Sequence, residues 1–219
     1  SMDEKNIEDS DVTIPIAVVA IVNGDGLEKV FRDLGVTRVL MGGDTMNSSV
    51  QEILDVIENV PSDAVIILPN NRNIIAAAQK ASELSDKKVF VVSSMTIPQG
   101  ISAMLALNPE KTAEDNVSVM QHASELVRTG EITKAVRSAK LDGVVVQDNQ
   151  IIGLLNGKLV VAGDDPTNVL VELLKLADVS EGDLITLYYG LSINNQEMEA
   201  VSQKIINSFL GTELEVVFG

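Results

Sequence analysis

At 219 residues the chain is long enough to bury a substantial core, as one two-lobed domain or as two small ones. With no cysteine and a single histidine it excludes disulfides, thiolate nucleophiles, cysteine-bound zinc and any multi-histidine metal site, and it removes Ser–His catalysis as a strong option. A net charge of −16 argues against nucleic-acid backbones and anionic membranes, and predicts a well-solvated surface.

The chain opens with an acidic, polar stretch, and Ser1-Met2 reads as an expression remnant, so residues 1–13 are taken as tag and linker. No run approaches the roughly 20 apolar residues that span a bilayer, which makes a cytoplasmic address the default. Ile16–Val22 is an apolar, β-branched run followed by Asn23-Gly24-Asp25-Gly26. Leu27, Val30, Phe31 and Leu34 then recur at helical spacing up to Gly35. Arg38–Met41 is the next strand. Beyond Gly42-Gly43, Ser49 and Glu52 form a capping-box pattern ahead of a stripe of Ile53, Leu54, Ile57 and Val60. Ala64–Leu68 is a third strand, Asn73 begins a helix, Lys88–Val92 is a fourth strand, and Ser93–Gln99 is expected as a loop into a further helix. Strands that are apolar throughout, separated by amphipathic helices, predict a doubly wound parallel sheet covered on both faces.

A longer helix over about 112–129 is expected to link or cover the lobes. His122 on it reads as an exposed or capping residue. After it the strands crowd together: Glu131–Val136, Gly143–Gln147, Ile151–Leu155 and Leu159–Ala162, the last two joined by Asn156-Gly157, a tight-hairpin signature. Asp165-Pro166 opens a helix as cap and first residue. A strand at Leu184–Tyr188, a helix at Asn194–Phe209 and a strand at Glu213–Val217 complete a smaller mixed-sheet α/β lobe. The expected organisation is a first lobe over 14–110, a linking helix over 111–130 and a second lobe over 131–219.

In an open parallel sheet, ligands bind at the carboxyl ends of the strands. Four loops occupy such ends. The first, Asn23–Gly26, lacks the third glycine of a dinucleotide fingerprint and reads as a tight strand–helix turn; no Walker loop is present. The second supplies Gly42, Gly43, Asp44, Thr45, Asn47 and Ser48 as candidate ligand- or partner-binding residues. The third supplies Asn70, Asn71 and Arg72, and the fourth Pro98, Gln99 and Gly100. Their amides, hydroxyls and glycines suit an anion at a helix N-terminus, although Ser49 equally serves as its own helix cap. Asp44, Asp142, Asp164 and Asp165 are not spaced as a metal cluster; Asp165 reads as a cap and Asp142-Gly143 as a turn. Arg137 reads as a structural ion-pair or carbonyl-capping residue. No residue is assigned a catalytic or metal-binding role.

Read in order, GGDTMNSS, ILPNNRNI, TIPQGISAML, AVRSAKLDG, IIGLLNGKLV and ITLYYG resemble the C-terminal domain of the bacterial fatty-acid kinase catalytic subunit, the FakA/YloV family, from about Ile14 to Gly219. The resemblance implies a DegV-like two-lobed fold and a place beside a separate DhaL-like domain that binds ATP and magnesium, with no cofactor on this chain. It further implies a role in engaging the fatty-acid carrier FakB, or other domains of the same subunit, in making acyl phosphates. Asp44 stands where that family commonly has glutamine and Ser48 where it has proline. The chain ends at Gly219, before a final strand expected in the family. Three readings stay open: a non-catalytic docking module; a DegV-like lipid-binding domain with Thr45, Ser48 and Ser49 holding an acyl carboxylate; and an enzyme on a small anion using Asp44 or Arg72.

Overall fold

The computed structural model describes residues 14–43, 48–141, 143–190 and 192–218. The chain divides between Val127 and Arg128 into two compact units.

In the first unit β1 (Ala17–Val22), β2 (Arg38–Met41), β3 (Ala64–Leu68) and β4 (Lys88–Val91) form an all-parallel sheet in the order β2-β1-β3-β4. Alternate residues of the central strands serve opposite faces. Val18, Ala20 and Val22 of β1, with Ile66 and Leu68 of β3, pack against Phe31 of α1 (Asp25–Asp33). The same core takes in Ala103 and Met104 of α4 (Ile97–Leu105) and Met120 of α5 (Ala113–Glu125). Ala17, Val19, Ile21, Val65 and Ile67 face Ile53 and Ile57 of α2 (Val50–Glu58) and Ile74, Ala78 and Ala81 of α3 (Arg72–Leu84). Both faces are therefore dry, which is why these strands read as unbroken apolar runs. Truncating Ile67 to alanine would cost about 2–5 kcal/mol.

One expected loop is shorter than the sequence suggests. Pro98, Gln99 and Gly100 lie inside the first turns of α4. Thr96 caps that helix by accepting from the Gln99 N–H, and Pro98 takes an early position where its missing N–H costs no intrahelical bond.

In the second unit β5 (Gly130–Lys134), β8 (Ile151–Leu155) and β9 (Lys158–Gly163) form an antiparallel ladder. β6 (Ala139–Leu141) and β7 (Val144–Val146) form an antiparallel pair, and β10 (Leu184–Tyr189) and β11 (Glu213–Phe218) a parallel one. The expected mixture of strand senses is present, distributed over three ladders. Asn156 and Gly157 turn β8 into β9 with φ of 49° and 77°, the left-handed pair that a two-residue hairpin needs. Asp165 caps α6 (Pro166–Leu176) by accepting from the Asn168 N–H at 2.7 Å. That helix approaches the ladder over Gly153 and Gly163, where an added Cβ would meet Val169 of the helix at 3.3 and 2.9 Å. Asn194 and Glu197 form a capping box at α7 (Asn195–Ser208), which lies between β10 and β11 in sequence.

Candidate functional site

The four-stranded sheet fixes where the candidate loops meet. β1 has β2 on one side and β3 on the other, so the connections leaving β1 and β3 flank the switch point at the carboxyl edge. Asn70 stands there, 3 % exposed, with φ of 55°. Its backbone N–H donates to the Ser94 hydroxyl at 3.0 Å, and that hydroxyl donates to the Asn70 side-chain oxygen at 2.8 Å. Its amide nitrogen donates to the Ile21 carbonyl at 3.1 Å. One carboxamide thus ties the ends of β1 and β3 to the segment after β4.

The neighbouring candidates are engaged in a similar way. Asn71 caps α3 by accepting from the Asn73 N–H at 2.8 Å. Gln99 is buried and its side-chain oxygen accepts from the Met95 N–H at 2.7 Å. Gly100 packs directly against the Asn70 side chain. Gly42 donates its N–H to the Val22 carbonyl at 2.9 Å, prolonging the ladder, and Gly43 takes a left-handed φ of 65°. Ser48 is buried, Pro98 half-buried, and Arg72 exposed at the first position of α3. Asp44, Thr45 and Asn47, like Asp142, lie outside the described residues.

Ser49 fulfils its capping role. Its N–H and hydroxyl donate to the Glu52 carboxylate at 2.7 and 2.8 Å, while the Glu52 N–H donates back to the hydroxyl at 3.2 Å. The backbone bond, then the hydroxyl bond, hold the Glu52 carboxyl below its ordinary range. The N-terminus of α2 therefore already carries an anion of its own.

Sequence reasoning missed Ser94 and the Ile21 carbonyl. They lie 24 and 49 residues from Asn70, and no local pattern marks them. The left-handed turn at Asn70 was the available signal, since asparagine tolerates that conformation. Arg137 and His122 are exposed, and neither belongs to an ion pair among the described residues. For Arg137 this corrects the structural-pair reading: Val136, Arg137 and Ser138, in the connection between β5 and β6, are all exposed. Among the described residues no group of three or more His, Asp or Glu side chains is placed to hold a metal ion, and no helix is long and apolar enough to cross a membrane.

A family model for the C-terminal domain of FakA-like fatty acid kinase subunits matches residues 17–219. The chain belongs to that family. Among curated relatives of this FakA-like C-terminal domain, YloV of Bacillus subtilis is 34% identical over 202 residues, covering 92% of this chain and 36% of its own length. An uncharacterised protein of Staphylococcus haemolyticus is 34% identical over 203 residues, covering 93% and 37%. The chain thus spans little more than a third of the length of these relatives. The domain is also similar in fold to a DegV lipid-binding protein of Thermotoga maritima, with a TM-score of 0.62 at 15% identity over 94% of this chain and 92% of the other. The fatty acid kinase B3 protein of Streptococcus pneumoniae, solved loaded with linoleic acid, gives 0.59 at 12% identity over the same shares. The fold is DegV-like, as the resemblance implies.

Proposed function

We propose that this domain is a non-catalytic docking module of a fatty-acid kinase subunit. In this reading it engages the fatty-acid carrier FakB so that a separate DhaL-like domain, holding ATP and magnesium, phosphorylates the carried fatty acid to an acyl phosphate. The domain itself takes no cofactor, acts in the cytoplasm, and also meets other domains of its own subunit.

The observation that carries this reading is the internal engagement of the polar groups at the strand ends. Asn70 is held by Ser94 and Ile21, and the Ser49 hydroxyl is held by Glu52. What the edge offers outward includes Arg72, Met41 at the end of β2 and Met95 beyond β4, all exposed. Adaptable methionines and an arginine exposed along one edge of a sheet suit contact with a protein surface.

The likeness to the DegV lipid-binding protein and to the linoleate-loaded carrier supports a second reading, a lipid-binding domain in its own right. An acyl carboxylate held by Thr45, Ser48 and Ser49 would then stand beside the ionised Glu52, a like-charge cost the docking reading avoids.

Native mass spectrometry of the chain, alone and with its cognate carrier, separates the two. The docking reading expects a complex with no acyl chain on this domain, weakened at least about tenfold, or by roughly 1.4 kcal/mol, by Arg72→Glu. An acyl chain retained by the isolated domain, with no complex formed, overturns it in favour of the lipid-binding reading.

A further inference from the structure

In a chain with 32 acidic and 16 basic residues, Lys134, Arg137 and Lys140 are the only three basic residues that follow one another with no acidic residue between them. Lys134 closes β5, Lys140 sits in the middle of β6, and Arg137 lies in the connection between these strands. All three are exposed. The ion pairs of the described residues use other cations, Lys29, Arg32, Lys80, Lys88, Arg128 and Lys175, and leave these three unengaged.

The β6–β7 ribbon, which carries Lys140, has two distinct faces. Val144 and Val146 of β7 turn inward to the core formed with Ala135 and Leu159. Val145, between them, turns outward and is 66% exposed, directly opposite Lys140 in the register. Val136 beside Arg137 is 92% exposed. Among the described residues β6 pairs with no strand other than β7. A lysine on such an edge also guards against strand-to-strand aggregation, but that role calls for neither Arg137 nor two outward valines.

We propose that the β6–β7 ribbon and the segment leading into it form a docking arm for a protein face that bears clustered carboxylates beside apolar side chains. Charge complementarity selects this partner over the other polyanions. A membrane or a nucleic acid presents an extended negative field that also meets the acidic remainder of this chain, whereas a carboxylate patch on a protein is finite and can address the arm alone. Exposed charge pairs contribute little affinity each, so the three cations orient the approach while the valines supply contact area. Repulsion elsewhere disfavours other docking poses. The inference specifies a chemistry rather than the carrier, so its failure leaves the carrier reading standing.

The test uses the full chain, isotope-labelled, with a polyglutamate peptide as probe and backbone amide shifts as readout. The expected shifts concentrate at residues 134–146 and vanish between about 0.02 and 0.3 M salt as the screening length shortens. Arg137→Glu with Lys140→Glu weakens binding at least tenfold, while Lys204→Glu on α7 leaves it unchanged. If the double reversal disturbs the ribbon, Lys134→Gln with Arg137→Gln, which leaves β6 intact, is expected to reproduce the loss. Absence of shifts in the arm, or equal weakening by Lys204→Glu, overturns the proposal. Phosphatidylserine vesicles engaging these amides when the peptide does not would overturn it in favour of a lipid surface.

Discussion

The Asn70 side chain occupies the space in which any residue but glycine at position 100 would place its Cβ. Such a carbon would overlap the carboxamide oxygen and lie 2.6 Å from its carbon. Asn70 cannot readily yield, because the same amide is bonded to Ser94 and Ile21. The start of α4 and the end of β3 are therefore matched in shape.

Gly100→Ala should destabilise the first unit by about 1–3 kcal/mol through overpacking, although alanine favours a helix by about 1 kcal/mol. In an Asn70→Gly background the collision disappears, and the alanine should become neutral or stabilising. A double-mutant cycle should thus give a coupling of at least about 1 kcal/mol. Both tyrosines lie in the second unit, so amide hydrogen exchange in β1 and β3 is the suitable readout. Equal cost in both backgrounds would refute the steric account.

Lys87 offers a second test. Its ammonium donates to the carbonyls of Ile57, Glu58 and Val60 at 2.9, 3.0 and 2.7 Å, satisfying the C-terminal end of α2 and the chain just beyond it. Lys87→Met keeps the apolar stem and removes the donors, and should cost about 1–3 kcal/mol. Lys29 pairs only along the exposed surface of α1, with Asp33, so Lys29→Met should cost no more than about 0.5 kcal/mol. Exchange rates in the last turn of α2 should rise in the first variant and not in the second.

What the sequence makes legible is what is local. Ser49 with Glu52, Asp165 with Pro166 and Asn156 with Gly157 each specify a cap or turn within four residues, and all three form. The parallel sheet follows because β1 and β3 are apolar on both faces. The start of α4 is harder to place because Thr96, its cap, lies within a polar stretch that also reads as loop. β6 escapes notice because three residues, Ala139–Leu141, show too little alternation to stand out. The contacts that shape the candidate site, Asn70 with Ser94 and Ile21, join distant parts of the chain, and only the assembled sheet reveals them.

Acidification should weaken both units through identifiable carboxylates. Glu52 is held below its ordinary value by the Ser49 backbone and hydroxyl. Asp183 is lowered chiefly by the Ser180 backbone N–H, with Arg128 adding to it. Because the folded values are depressed, this stabilisation is fully present above the ordinary carboxylate range and is lost as the pH falls through the folded values. Glu52→Gln should lower first-unit stability at neutral pH and flatten its decline in acid, read by exchange in α2. An unchanged acid profile would show that the capping box does not contribute to it.

Alkaline pH should act on the second unit through Tyr188. Burial, reinforced by the negative charge of Glu215, raises its phenol above the ordinary value. The register of β10 and β11 places Tyr188 and Thr186 on one face with Val217 and Glu215, which brings that charge diagonally beside the phenol. The unfolded chain ionises first, so the stability linked to Tyr188 is complete below the ordinary phenol range and is lost as the pH rises through the folded value. The chain has only two tyrosines, and both lie in β10, so near-ultraviolet tyrosinate absorbance reports on this strand alone. A late-titrating step should be present in the native protein, absent from Tyr188→Phe, and shifted to lower pH by Glu215→Gln. If the step survives in Tyr188→Phe, the late phenol is not Tyr188, and the packing of this face does not control it.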